Sequence, residues 1–170
     1  LNTQFHTDEF QEQLSKKRKD AKAMWFNLVK LAKMNNSRGG YLAIEWPANN
    51  EYWGWHSVQK LIDELGLGVC RCDGCAMGLK NEQGLPIKKL WKIATDCEQI
   101  FHTLRRKRCP GPEFHPVHPE CLGGALTKKT GKYTPEMAKA IHSAWRKQCY
   151  ADGCPSAPAA TAQNYTTTCG

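Results

Sequence analysis

The sequence lacks the features that mark membrane-spanning and secreted proteins. No window in its 170 residues approaches the ~20 consecutive apolar residues that a membrane-spanning helix needs. The amino-terminal stretch lacks the charged head, apolar middle and small-residue cleavage site of a secretory signal. Internal repeats are absent as well. We therefore expect an intracellular, reducing location, with the nucleus as one option and no membrane partner.

The sequence has fewer acidic residues than basic ones. Lys and Arg number 24 against 16 Asp and Glu, which gives a formal charge of +8. A basic balance favours anionic partners, and here we expect DNA or RNA, although each basic run is also open to interpretation as a solvated face. The cations that we expect to contact phosphate are Lys16, Lys17, Arg18, Lys88, Lys89, Lys92, Arg105, Arg106 and Arg108.

Apolar spacing predicts four helices. Each has apolar residues three, four or seven positions apart, which is the spacing of one helical face. Thr7 and Thr134 are the expected caps of the first and last helices, and either Thr95 or Asp96 caps the third. The predicted spans are 5–35, 58–65, about 97–104 and 135–145.

Three short apolar runs between these helices predict strands. They cover residues 41–47, 67–72 and 90–95, and the first ends where Pro47 removes a hydrogen-bond donor. Alternation of strands and helices favours an α/β fold with helices packed on a sheet. We expect one domain over residues 1–150. A tail over 151–170, rich in Ala, Thr, Pro and Ser, is expected to be flexible.

Cysteine and histidine cluster at two places in the chain, the pair Cys72 and Cys75 and the segment 109–121. The nine cysteines are an odd number in a chain without a secretory signal, which favours reduced thiols or zinc over disulfides. Residues 109–121 form a proline-rich segment that needs something to order it. Two such clusters separated by other elements are typical of a structural zinc site. The predicted ligands are Cys75, Cys109, His118 and Cys121, with Cys72 and His115 as alternates.

Two other interpretations of these cysteines are open. The thiols can be inert buried side chains beside a surface histidine pair. A cysteine nucleophile activated by a histidine is the catalytic alternative, but no segment shows a strained nucleophile turn or a third, orienting residue.

Three segments together resemble a known family. These are Glu45-Trp46-Pro47 at a strand end, residues 73–79, and the basic strand 88–95. The series resembles the carboxyl-terminal half of DNA cytosine-5 methyltransferase-like domains, particularly the divergent versions in retrotransposons and other mobile-element polyproteins. The segment 109–121 and the helix start at Tyr133 are similar to later motifs of those versions.

The resemblance implies a partial Rossmann-like, methyltransferase-like sheet with flanking helices and a Cys/His loop. It also implies that Glu45 recognises the target base, because a carboxylate accepts from the exocyclic amine of cytosine. Trp46 stands where the family has Asn. The family's Gly-rich S-adenosylmethionine motif and its Pro-Cys loop do not occur before the first helix. The resemblance thus implies an incomplete domain that binds S-adenosylmethionine only together with a missing amino-terminal half.

Three functional hypotheses follow. The first is a zinc-stabilised, nucleic-acid-binding fragment or remnant of a mobile-element methyltransferase-like domain, not catalytic alone. The second is half of an active methyltransferase, whose partner is the rest of a polyprotein. The third is a zinc-stabilised protein-interaction module without a nucleic-acid role.

Overall fold

The structure is a computed structural model that describes residues 7–119 and 130–153. Within these residues the chain has four α-helices and three strands, and it divides into two compact units. We call residues 1–42 with 51–67 the helical unit and residues 43–50 with 68–170 the sheet unit. The elements are α1 (Asp8–Asn36), β1 (Ala43–Pro47), α2 (His56–Glu64), β2 (Gly68–Asp73), β3 (Leu90–Thr95), α3 (Glu98–Arg105) and α4 (Pro135–Ala151).

The helical unit consists of α1, a 3-10 turn and α2. The Thr7 hydroxyl accepts from the Phe10 N–H, which confirms the predicted cap of α1. The 3-10 turn Glu51–Gly54 leads directly into α2. α2 buries Val58, Leu61 and Ile62, which are spaced to share one face. None of the described helices has both the length and the apolar character needed to cross a membrane.

The sheet unit is built on three strands in the order β1-β3-β2. β3 is antiparallel to both neighbours, and its register sets Lys92 opposite both Trp46 and Arg71. β1 and β2 therefore run parallel to each other with β3 inserted between them. The predicted mixed α/β class is confirmed, as are the three strands to within two residues. The finer expectation of a Rossmann-like sheet stays a prediction.

Helices α3 and α4 belong to the same unit as the sheet. A Cβ on Gly68 would lie 3.0 Å from the Phe101 ring, so the glycine lets α3 approach β2 closely. Thr134 caps α4 by accepting from the Met137 N–H, as predicted. α3 instead begins after Cys97, because the Thr95 hydroxyl accepts from the Cys97 N–H one residue before the helix. The predicted tail lies, from residue 154, outside the described residues.

Candidate metal centre

Two segments of the sheet unit meet at the end of β2. Cys75 lies in the 3-10 turn Gly74–Met77 that directly follows this strand. Cys109 lies a few residues after the end of α3. The Asp73 N–H donates to the Lys107 carbonyl at 2.8 Å, which holds the second segment against the first. The two cysteines are therefore brought together by main-chain pairing, although they are far apart in the sequence.

Two cysteines and two histidines converge at this point. The Sγ atoms of Cys75 and Cys109 and one ring nitrogen each of His115 and His118 all lie within 4.8 Å of one another. Cys109 Sγ is 3.6 Å from His115 Nδ1 and 3.5 Å from His118 Nε2. A tetrahedral zinc ion with its usual bonds to sulfur and nitrogen separates such ligand atoms by about 3.6 Å. The cluster therefore has donor types and a spacing that could hold a metal ion.

The loop reaches this geometry through a turn at Gly111. Its φ is 105°, a conformation that favours glycine. The Gly111 carbonyl accepts from the His115 N–H at 2.9 Å, which turns the chain back toward Cys109. Residues 109–119 contain no helix or strand, as predicted. The turn and the contacts of Cys109 with His115 and His118 therefore define the path of this loop.

The buried carboxylate of Asp73 binds the backbone of the candidate ligand Cys109. The residue is only 2% exposed, and its Oδ2 accepts from the Cys109 N–H at 2.7 Å. The same oxygen is 3.5 Å from Arg108 Nε. Oδ1 is buried and has no hydrogen-bond partner in the described part of the chain. A buried carboxylate that fixes the backbone of a ligand is the kind of outer-shell group that metal sites use to orient their ligands.

Burial raises the pKa of two thiols, Cys75 in the cluster and Cys72 on the strand before it. Burial, and then the hydrogen bond with Cys109, raises the pKa of Cys75 to about 11. A metal ion must therefore displace this proton when it binds. Burial raises the pKa of Cys72 to about 12, and this side chain is fully buried. Such a thiol is a poor nucleophile at neutral pH.

The predicted ligands meet the cluster in part. Cys75, Cys109 and His118 belong to it, and the alternate His115 completes the set. Cys72 is not a member, because it lies on β2 opposite Trp91 and the chain reaches the cluster only in the 3-10 turn that follows the strand. Cys121 lies outside the described residues.

Glu45 lies near the end of β1 and has a partner that the sequence did not predict. Its Oε2 accepts from the Tyr133 hydroxyl at 2.7 Å, while Oε1 is buried with no hydrogen-bond partner among the residues described. The Tyr133 ring meets Trp91 edge-on at 6.3 Å. Partial burial, and then the bond to Glu45, raises the pKa of Tyr133. No short-range pattern links residues so far apart in the chain.

The predicted phosphate-binding cations are divided between the two units. Lys16, Lys17 and Arg18 are exposed on α1, and Arg18 pairs with Glu51 at 3.2 Å. Lys88 is exposed, but the Nζ of Lys89 donates to the Thr130 carbonyl at 2.7 Å. The first three cations belong to the helical unit and the remaining predicted ones to the sheet unit.

The sheet unit also has a group of cations on and near β2, which we call the basic edge. The Arg71 carbonyl accepts from Arg108 Nη1 at 3.4 Å, and the register sets Arg71 opposite Lys92. Burial, and then the charge of Arg71, lowers the pKa of Lys92. Sequence reasoning missed Arg71, although its alternation with two buried cysteines indicated an exposed position. The basic edge comprises Arg71, Lys92, Arg106, Lys107 and Arg108.

No family model, curated protein or solved structure matches the chain. The fold and the site therefore define its class by themselves. It is a mixed α/β protein whose sheet unit carries a candidate metal centre of two cysteines and two histidines.

Proposed function

We propose that the chain is a zinc-stabilised nucleic-acid-binding module. A zinc ion held by Cys75, Cys109, His115 and His118 orders the loop, and the basic edge binds the phosphate backbone. One observation carries the proposal: Cys109 is a member of the metal cluster and directly follows Arg108, and Asp73 contacts both residues. Ordering the metal centre thus fixes the position of the basic edge.

Zinc is the metal that this donor set favours. Two thiolates with two imidazoles form a closed tetrahedral set, typical of structural zinc rather than of magnesium or calcium, which prefer oxygen ligands. All four candidate ligands come from the protein, so no open position is left for a catalytic water. We therefore assign the centre a structural role.

Phosphate is the anion that the basic edge favours. Arg106, Lys107 and Arg108 are exposed and consecutive, and Arg71 is exposed beside them. Arg71 and Lys92 lie close enough to repel each other, because burial and then the charge of Arg71 lower the pKa of Lys92. A phosphate backbone relieves the repulsion, and arginine binds phosphate oxygens with two parallel hydrogen bonds.

The experiment measures metal and nucleic acid on the same protein. The full chain is purified in reducing buffer, its zinc is quantified by mass spectrometry, and labelled duplex DNA, single-stranded DNA and RNA are titrated at several salt concentrations. We expect one zinc per chain, and binding that weakens with salt. The pair Arg106→Gln and Lys107→Gln should lower the slope of log affinity against log salt by about 2 for duplex DNA. Lys139→Gln with Lys147→Gln on α4 is the matched control.

The outcomes separate the alternatives. Zinc without binding of any oligonucleotide would refute the nucleic-acid role and favour a zinc-stabilised protein-interaction module. A chain that takes up no zinc and melts identically with and without chelator would refute the metal centre. Equal losses in the basic-edge pair and in the control pair would show that total charge, and not the basic edge, drives binding.

A second candidate function rests on Glu45. We propose that the chain derives from a mobile-element, methyltransferase-like domain, in which Glu45 would contact the target cytosine. The buried Oε1 without a hydrogen-bond partner among the described residues supports this candidate, because a cytosine amine could donate to it. The three strands would then be part of a larger Rossmann-like sheet. S-adenosylmethionine would bind to a segment outside this sequence.

The test of this candidate uses a longer protein that includes an upstream segment with a Gly-rich turn and a Pro-Cys loop. Methyl transfer to cytosine in DNA is expected, and Glu45→Gln should lower its rate about 10-fold to 100-fold, as loss of a charged hydrogen bond does. Full activity of Glu45→Gln would remove Glu45 from the proposed role.

A further inference from the structure

The helical unit contains a groove that the metal centre and the basic edge do not use. It lies between α1 and α2 and has a volume of about 670 Å³. Cavities of this size accommodate small ligands or one residue of a polymer. Residues three or four apart on α1 line one wall, and α2 lines the other along its whole length. The side chains that matter here are Lys22, Trp25, Phe26, Trp55, Lys60 and Leu61.

The side chains of two tryptophans and one phenylalanine line the groove. Trp55 is half-exposed at the cap of α2, and its ring packs on Tyr52 with centroids 4.3 Å apart. Phe26 is 61% exposed, and the Nζ of Lys30 lies 4.4 Å from the centre of its ring. Buried Trp25 and Leu61 also line the groove. A flat apolar ligand would gain contact with these surfaces, as a nucleobase does when it stacks on an aromatic side chain.

The charges in the groove are arranged asymmetrically. Glu64 pairs with Lys33 at 2.7 Å and with Lys60 at 3.6 Å, so this end is largely neutralised. At the other end, the Nζ of Lys22 lies 6.0 Å from the centre of the Trp55 ring, the outer limit of a cation–π contact. Because the Trp55 ring holds this ammonium group only weakly, the group can turn toward an anion. The groove thus offers an aromatic surface beside one available positive charge.

We infer that this groove binds an unstacked nucleobase together with its phosphate, the base against Trp55 and the phosphate at Lys22. The shared chemistry allows two sources, a free nucleotide or one residue of a single strand. Duplex DNA offers no unstacked base and does not fit. The inference does not depend on the basic edge, which belongs to the other unit.

The experiment uses the full chain and a labelled six-nucleotide single strand. A matched strand that lacks its central bases retains the phosphates and removes the stacking partner. We expect the strand without bases to bind about 10-fold more weakly, since stacking contributes this order of affinity per base. Competition by adenosine monophosphate would assign a free nucleotide as a sufficient ligand, and its failure to compete would assign the strand.

Variants of the protein test the same contact between the base and Trp55 and between the phosphate and Lys22. Trp55→Ala should weaken binding about 10-fold and Trp55→Phe less, because a ring is retained. Lys22→Gln should lower the salt slope by about 0.7, the value for one phosphate contact on a single strand. Trp145→Ala on α4, where Trp145 is 37% exposed, is the matched control.

Two results would overturn the inference. The first is equal binding of the strands with and without bases, a measurement on the unaltered protein that no folding defect can affect. The second is unchanged binding by a folded Trp55→Ala variant. Repeating the strand comparison on the Arg106→Gln and Lys107→Gln pair separates the two proposals, because loss of the basic edge should leave the effect of the bases in place.

Discussion

Replacing Asp73 tests how the candidate metal centre is supported. This carboxylate is 2% exposed and accepts from the Cys109 N–H at 2.7 Å. In Asp73→Ala that N–H loses its acceptor in a partly buried position, which costs about 1 kcal/mol, the lower end of the range for a buried group. Loss of an outer-shell partner typically weakens metal binding 10-fold to 100-fold, or about 1.4–2.7 kcal/mol. We expect zinc affinity to fall within that range.

The variant Asp73→Asn separates the hydrogen bond from the charge. Its side-chain oxygen can still accept from the Cys109 N–H, while the contact with Arg108 loses its ionic character. Its amide group takes the place of Oδ1, which is buried without a hydrogen-bond partner in the described residues. The substitution therefore also removes the free-energy cost of burying a negative charge there. We expect zinc affinity to change less than about 3-fold, because the bond that orients the ligand is retained.

The assay is competition for zinc between the full chain and a chromophoric chelator, with circular dichroism to check that each variant is folded. Asp63→Ala on the exposed side of α2 is the control. If Asp73→Ala bound zinc as tightly as the unaltered chain, the supporting role of this carboxylate would be refuted. If Asp73→Asn bound zinc as weakly as Asp73→Ala, the charge of the carboxylate and not its hydrogen bond would be the property that supports zinc binding.

Three further predictions concern the same unit. His115→Ala should abolish retention of zinc through gel filtration whereas His142→Ala on α4 should not, and zinc retained by His115→Ala would show that another residue is the fourth ligand. Gly111→Ala should destabilise the loop by about 1 kcal/mol or more, because its φ of 105° is strained for any residue with a Cβ; chelator-dependent melting measures it, and an unchanged melt would contradict it. The pKa of Cys72 is raised to about 12 from 9.0, so the unfolded chain loses this proton first and stability should fall above about pH 9 by up to ~1.4 kcal/mol per pH unit. Denaturant titrations at pH 7.5 and 10.5 check this fall, which Cys72→Ala should reduce; an equal fall in both proteins would contradict it.

Local structure in this chain follows closely from local sequence. The caps at Thr7 and Thr134 and the whole span of β3 agree with the sequence-based predictions. These features depend on residues a few positions apart, such as a hydroxyl that accepts from the N–H three residues later. Neighbouring residues therefore contain the information that fixes them.

Strand order depends on distant residues and could not be predicted in this way. β3 pairs with β1 and β2 at once, so it inserts between strands that precede it in the chain. An apolar run reports that a strand is buried, but it does not report which strands lie beside it. The alternation of helices and strands gave the mixed class and left the direction of pairing open.

The choice among the candidate metal ligands could not be made from the sequence either. Cys109, His115, His118 and Cys121 are spaced closely enough that several sets of ligands satisfy the spacing alone. The turn at Gly111 brings His115 back to Cys109, and that turn depends on a backbone conformation. The exposed position of Arg71, in contrast, was readable from its alternation with buried cysteines, a pattern of period two.

The contacts of Asp73 also limit how zinc can affect nucleic-acid binding. Two thiolates and two neutral imidazoles balance the two positive charges of a bound zinc ion, so the occupied centre has no net charge. Zinc therefore adds no positive charge that would attract phosphate. Any gain in affinity must come from ordering, because Asp73 contacts both Cys109 and Arg108 and a fixed loop holds the neighbouring cations in place. Affinity should thus depend on zinc even at salt concentrations where long-range attraction is screened.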